Sequence, residues 1–317
     1  MNRGVGYAAG AANLMSTVVH FSPDLAAWIV GHLDRACPPA TIIETMVAER
    51  MEARVAQAIV AAFVDARRRG EPLPVDAITL DDAAPDYIYE APIFRHGSRI
   101  VTADRTVRVA ARAARPMLAV LADLLSAEEC EALIALARPR LAPSTVVDPD
   151  SGQDVVAPHR NSFGMFFRLQ ENPFIARLDQ RIAEVMNLPL ENGEGIQVLY
   201  YPMGALNTPH FDFLLPSNPA NRTSIARSGQ RVSTLIAYLN DVESGGETAF
   251  PAAGWEVSPQ RGSAVYFEYC NSRSQVDHRS LHGGNAVLAG EKWVATKWMR
   301  ERRFVSANEA GSEGMMR

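Results

Sequence analysis

Cysteine is scarce in this chain of 317 residues: three, at Cys37, Cys130 and Cys270, stand far apart. They offer neither a disulfide framework nor a CxxC metal motif, and they suit a reducing, cytoplasmic compartment. Long apolar runs are missing as well, since no stretch approaches the ~18 uninterrupted apolar residues of a membrane span. The uncharged segment between Arg3 and Asp24 comes nearest, and Asn13, Ser16, Thr17 and its glycines interrupt it, which argues against a signal peptide. An excess of one charge is lacking too. The 31 basic and 36 acidic side chains leave −5, so neither a nucleic acid nor an acidic membrane is an expected partner. Gly 21 and Pro 20 follow no repeat period, which excludes collagen-like and low-complexity architectures. What remains is a 47% hydrophobic, 21% charged globular chain, long enough for a small domain joined to a larger one.

Along the chain, residues 1–21 are expected to form a flexible tail and residues 22–70 a small three-helix unit. Ser22-Pro-Asp reads as a cap, an N1 proline and an acid at a helix start. Leu25, Trp28, Ile29 and Leu33 then recur at helical spacing. The period resumes at Ile42, Ile43, Met46 and Val47, and again at Val55, Ile59, Val60, Phe63 and Val64. Three short helices invite a DNA-binding reading, but residues 1–70 hold seven basic against six acidic side chains. A docking or oligomerisation role fits better, and nothing in the sequence sets an oligomeric state. Residues 71–92, with four prolines and several aspartates, read as a linker. From 93 to 303 a second domain is expected, and 304–317 as a C-terminal tail. Ser126-Ala-Glu-Glu129 is a capping box, and Phe174 to Met186 has helical periodicity. Strand-like runs follow at 196–201, 232–239, 264–269 and 293–299, separated by turn residues. The expected class is α+β: a jelly-roll β core buttressed by helices.

The chemistry centres on His210-Phe-Asp212. Alternate residues of a strand face one side, so H-x-D aims an imidazole and a carboxylate at one point. A third ligand has to come from elsewhere, and His278 and His282 are the candidates. His282 precedes two glycines and the last strand, whereas His278 lies in a polar loop. Two histidines and one carboxylate form the facial triad that holds Fe(II) with open positions for a cosubstrate and O2. Lys292, ten residues past His282, is a compact cation suited to the far carboxylate of a dicarboxylic cosubstrate.

These residues lie in text that resembles the prolyl 4-hydroxylase family of 2-oxoglutarate- and Fe(II)-dependent oxygenases over residues 117–302. The matching segments are LSAEEC (125–130), RNS (160–162), QVLYY (197–201), PHFD (209–212), RVSTLIAYLNDV (231–242), GGETAFP (245–251), LHGG (281–284) and GEKWVATKW (290–298). The resemblance implies a double-stranded β-helix core with iron ligands at His210, Asp212 and His282. It implies that Lys292 binds 2-oxoglutarate with help from Tyr201 and Thr234. It places peptide-substrate residues at Arg160, Ser162, Glu194 and Trp298, and it implies ascorbate as an accessory reductant. The implied reaction couples decarboxylation of 2-oxoglutarate to hydroxylation of an unactivated C–H, with a proline-containing peptide or protein as substrate. Two positions depart from the family: Asn207 stands where it usually has Tyr, and Arg300 where it often has His. The alternatives are a free amino-acid or small-metabolite hydroxylase on the same scaffold, and a non-catalytic 2-oxoglutarate-binding sensor. Residues 213–230 read as a mobile loop over the substrate.

Overall fold

The computed structural model describes residues 17–35, 37–80, 87–147, 154–156, 162–216 and 218–306. The chain divides into two compact units, Met1–Asp86 and Tyr87–Arg317. In the first, α1 (Pro23–Asp34), α2 (Pro39–Ala48) and α3 (Ala53–Arg69) form where the apolar periodicity lies. The Ser22 hydroxyl accepts from the Leu25 amide, and Gly70 ends α3 in the left-handed conformation. Ile29, Ile42, Met46, Ile59, Val60 and Phe63 make the core, while Val47 is left exposed. The unit is not purely helical. Thr17–His20 pairs antiparallel with Ala77–Leu80, so part of the expected tail and part of the expected linker are strands. Ala-Ile-Thr-Leu pairs as β despite the prolines before it.

The end of the expected linker belongs to the second unit. The Ile88 amide donates to Gln275, its carbonyl accepts from Asn271, and the Tyr89 hydroxyl donates to Asp277 at 2.8 Å. Residues 304 and 305, expected in a tail, are also tied down: the Phe304 amide donates to the Glu191 carbonyl and the Val305 amide to Ser228.

The second unit is built on two antiparallel sheets. The nine-stranded major sheet runs Arg99–Val101, Thr106–Ala114, Met117–Ala122, Ala264–Glu268, Arg231–Tyr238, Lys292–Arg300, Gln197–Tyr201, Phe163–Phe166, Ala142–Pro143. The minor sheet runs Asn207–His210, His282–Gly284, Thr248–Phe250, Trp255–Val257. Side chains of both sheets line one cavity between them, the jelly-roll arrangement expected from the strand pattern.

Two helices cover the outer face of the major sheet. The capping box of α4 (Ala127–Ala137) forms, with the Ser126 hydroxyl accepting from Glu129 and the Glu129 carboxylate accepting from the Ser126 amide. In α5 (Pro173–Met186), Ile175, Leu178, Ile182 and Val185 are buried, as their spacing predicts. Each contributes about 1.5–3 kcal/mol of apolar burial. The segment 213–230 is not a plain loop: α6 (Pro219–Ser228) occupies half of it, capped by Asn218, whose side chain accepts from Ala220 and Asn221.

The Lys292–Arg300 strand is buried along its whole length. On its outer face Lys297 reaches Asp179 of α5 at 2.7 Å, with the two side chains 1% and 0% exposed. Gly193 makes room, since a Cβ there would stand 2.8 Å from the Lys297 ammonium. A buried pair broken on one side leaves an uncompensated charge. Lys297→Met therefore lowers the unfolding free energy by about 3–5 kcal/mol in urea titrations. A loss under about 1 kcal/mol, the exposed-pair range, would show that the pair contributes little.

Candidate metal and cosubstrate site

The minor sheet brings the two histidines together. His210 and His282 are direct cross-strand partners, with ring centroids 4.5 Å apart. Gly283 permits this close pairing, because a Cβ there would stand 2.9 Å from the Asn207 carbonyl oxygen. The strand ends at His210, so Asp212 arrives from the bend after it rather than from strand alternation. His210 Nδ1 donates to the Thr208 carbonyl at 2.9 Å and His282 Nδ1 to the Ser280 carbonyl at 3.0 Å. A carbonyl can only accept, so each ring keeps the Nε2 lone pair free for the centre. His210 Nε2 lies 3.6 Å and His282 Nε2 3.5 Å from the Asp212 carboxylate. The three ligand atoms all fall within 4.8 Å of one another. Nitrogen, nitrogen and carboxylate oxygen converging from one side fit a divalent iron with positions left open.

Electrostatics prepare these donors. Burial, reinforced by His210, lowers the His282 pKa to about 4 against the pull of Asp212. Burial works to raise the Asp212 carboxyl, but His282, His210, Arg231 and the Thr234 hydroxyl outweigh it and hold it at about 2. Near neutral pH His282 is therefore neutral and Asp212 ionised, the forms that bind a metal without first releasing a proton.

Thr234, expected beside the cosubstrate, serves Asp212 instead. Its hydroxyl donates to Oδ2 at 2.7 Å and accepts from the Tyr269 hydroxyl at 3.0 Å. Thr248, on the minor sheet, lines the cavity, and its hydroxyl accepts from Tyr238 at 2.7 Å. Tyr201 and Lys292 do line the cavity, as cross-strand partners, with the ammonium 5.5 Å from the Tyr201 ring centre. Lys292 is 5% exposed. Burial lowers its pKa to about 8, with Glu247 pulling the other way.

The expected substrate residues divide. Trp298 lines the cavity. Glu194 does not: it is buried and bound by Arg231 at 2.7 Å and Arg300 at 3.1 Å. Ser162 is buried too, its hydroxyl donating to Ser144 at 2.9 Å. Arg160 lies outside the described residues. His278 is not in the metal cluster; it stands on a short helical turn with its ring edge-on to Phe211 at 5.3 Å. Sequence reasoning passed over Arg231, whose guanidinium lies 4.2 Å above the Trp298 ring and 3.5 Å from the Asp212 carbonyl. Its place as the one charged residue of the strand Arg231–Tyr238 was the available signal. Gln197, Asn207 and Thr296 also line the cavity.

The two departures have distinct places. Asn207 is in the cavity wall opposite Gly284. Arg300 is buried on Glu194, and its other nitrogen donates to the Ser224 carbonyl and hydroxyl of α6.

Comparison with known proteins agrees with this geometry. The family model described as 2OG-Fe(II) oxygenase superfamily matches residues 196–300. Prolyl 4-hydroxylase 1 of Arabidopsis thaliana is 45% identical over 202 residues, 59% of this chain and 70% of that protein. Prolyl 4-hydroxylase subunit alpha-2 of Gallus gallus is 37% identical over 180 residues, 57% of this chain and 33% of that one. Among solved structures, the viral collagen prolyl hydroxylase of Paramecium Bursaria Chlorella virus-1, in its 2OG complex, is 27% identical with a TM-score of 0.46, covering 58% of this chain and 95% of that one.

The Thr234 hydroxyl gives a direct test of how Asp212 is positioned. Thr234→Val removes the donor while keeping the shape, and the affinity for Fe(II) or Co(II), titrated calorimetrically, falls by roughly 10-fold or more. Thr234→Ser retains it. Equal metal affinity in all three proteins would show that the hydroxyl does not orient the carboxylate.

Proposed function

The chain belongs to the prolyl 4-hydroxylase family of 2-oxoglutarate- and Fe(II)-dependent dioxygenases, and from that premise we propose that it hydroxylates a prolyl residue within a peptide or protein. The observation that carries this reading is the polarity of one cavity wall. Lys292, Val294, Thr296 and Trp298 alternate along one strand and all face the cavity, with the cation at one end and the indole at the other. His210, Asp212 and His282 close the cavity from the opposite side.

His210, Asp212 and His282 would hold the iron, which when bound supplies the chemistry that couples 2-oxoglutarate decarboxylation to C–H hydroxylation. Lys292 binds the distal carboxylate of 2-oxoglutarate, with Tyr201 and Thr248 beside it. The aromatic rings of Tyr201 and Tyr238 lie 5.5 and 5.8 Å from the ammonium and keep water from it. Thr234 and Tyr269 hold Asp212 in place, and Arg231 braces the Trp298 end. The substrate approaches from that end, under α6. Among the described residues lining the cavity, the only carboxylate is Asp212, so no anion is left for the ammonium of a free amino acid. That favours an internal residue of a peptide over a small zwitterion. We further propose ascorbate as accessory reductant, on the family resemblance. A cytoplasmic location is also proposed, on three cysteines that form no disulfide.

Incubation with Fe(II), 2-oxoglutarate and O2 tests the function. Proline-rich peptides should gain one oxygen atom with matching succinate, and Asp212→Ala should abolish both. Hydroxylation of free amino acids and not of peptides would overturn the peptide reading. Lys292→Ala should raise the KM for 2-oxoglutarate by roughly 30- to 5000-fold, the cost of truncating one partner of a buried charge pair. Lys292 is cationic below its pKa, so kcat/KM for 2-oxoglutarate should fall as pH rises through about 8. Lys292→Arg should move that limb upward. A limb that stays in place in the variant would assign it to another group.

A further inference from the structure

The segment from Tyr87 to Phe94 lies ahead of residues 117–302, over which the family resemblance runs, yet it forms a strap against the loop that leads into the metal site. Its far end is pinned by the core. Phe94 is fully buried with its ring stacked 4.7 Å from that of Tyr266, and the Ile93 and Phe94 amides donate to Glu268 at 3.1 and 2.8 Å. The near end is held differently. Tyr87, Tyr89 and Ile93 share a cavity of about 930 Å³ with Met117, Leu188 and Val232, and Ile88 is 40% exposed. Hydrogen bonds fasten this end: Ile88 to Gln275 and Asn271, Glu90 to the Ser272 amide and hydroxyl, and Tyr89 to Asp277. Asp277, at 3% exposure, is the most deeply buried of these partners.

From Asp277 the bonds continue to the centre. Its Oδ2 accepts from the Tyr89 hydroxyl at 2.8 Å, and its Oδ1 from the Arg279 amide at 2.9 Å. Its carbonyl accepts from the Ser280 hydroxyl at 2.6 Å, which closes the turn His278–Ser280. The Ser280 carbonyl, at the end of that turn, accepts from His282 Nδ1 at 3.0 Å. On the other side, the Asp277 amide donates to the Tyr269 carbonyl at 2.9 Å. The Tyr269 hydroxyl bonds Thr234, and Thr234 bonds Asp212. One buried carboxylate thus stands where the supports of His282 and Asp212 meet.

We propose that Tyr89 is a positioning residue for the metal centre: its hydroxyl fixes Asp277, Asp277 fixes the turn, and the turn orients the His282 ring. The inference rests on the reading of His282 as a metal ligand and extends that site to the strap. A carbonyl that holds the Nδ1–H sets both the tautomer and the direction of Nε2, so a displaced turn aims the donor away from the metal. Lys292 stands on a different strand, and its place does not depend on this chain of bonds.

Co(II) in place of iron reports the coordination directly, through calorimetric titration and its visible absorption bands. In Tyr89→Phe, which removes only the hydroxyl, Co(II) should bind about 10-fold more weakly, the low end of the cost of an outer supporting group, and the bands should shift. Tyr87→Phe, a second phenol of the strap, should leave both as in the wild type. At saturating Fe(II) the KM of Tyr89→Phe for 2-oxoglutarate should change by under about twofold. In an Asp277→Ala background Tyr89→Phe should cost nothing further, because both changes cut the same bond. Unchanged affinity and bands in Tyr89→Phe, or an equal loss in Tyr87→Phe, would sink the positioning role alone. Co(II) binding that survives His282→Ala undiminished would remove the ligand reading and the role of Tyr89 with it.

Discussion

Two-residue alternation in the Lys292–Arg300 strand is the constraint on which the rest of the molecule depends. The strand is central in the major sheet and buried on both sides, so each residue has to satisfy one of two environments. Its inward residues meet the cavity and its outward ones meet the helices. A slip of one residue would exchange the two sets. Lys292 and Lys297 show what is at stake, because they are buried cations on opposite faces with opposite solutions. Lys297 is neutralised by Asp179 of α5, which locks the strand to the helix layer. Lys292 has no ion-pair partner among the described residues and is surrounded by tyrosine rings, a glycine and a threonine hydroxyl. One lysine stabilises the register; the other is kept in readiness for an anion.

The same contrast separates the acids. Glu194 is buried, but Arg231 and Arg300 bind it from two sides and hold its carboxyl down against burial. It therefore braces neighbouring strands. Asp212 is also buried, yet its nearest partners are two imidazoles held by backbone carbonyls and one threonine hydroxyl. Charge held by other protein charges builds the frame. Charge held by groups that can coordinate a metal builds the centre.

How much of this was legible beforehand follows from what each feature depends on. The capping box at Ser126, the periodicity of α5 and the four long strands are local, and they stand where the residues place them. The union of His210, Asp212 and His282 was legible through motif text, and Trp298 through its even spacing from Lys292. Cross-strand identity was not. Thr234 and Thr248 are both buried threonines, and only the sheet partners decide that the first turns to Asp212 and the second to the cavity. The partners of Glu194 and Ser162 were hidden for the same reason, because Arg231, Arg300 and Ser144 lie elsewhere along the chain. The strand pair of the first unit escaped because its halves are separated by three helices.

Arg300 shows how a departure from the family pattern can be absorbed by the frame. A neutral imidazole has one N–H donor, whereas the Arg300 guanidinium donates to three acceptors. The arginine spans from Glu194 to the Ser224 carbonyl and hydroxyl, and Arg302 adds bonds to the Ile225 and Ala226 carbonyls. Arg300 and Arg302, at alternate positions after Trp298, thus tie down α6. Arg300 shares Glu194 with Arg231, and Arg231 covers Trp298, so three charged side chains connect α6 to the indole. The departure makes no contact with the metal donors or Lys292. That position can vary without disturbing the cosubstrate end, because Lys292 and Arg300 stand at opposite ends of one nine-residue strand.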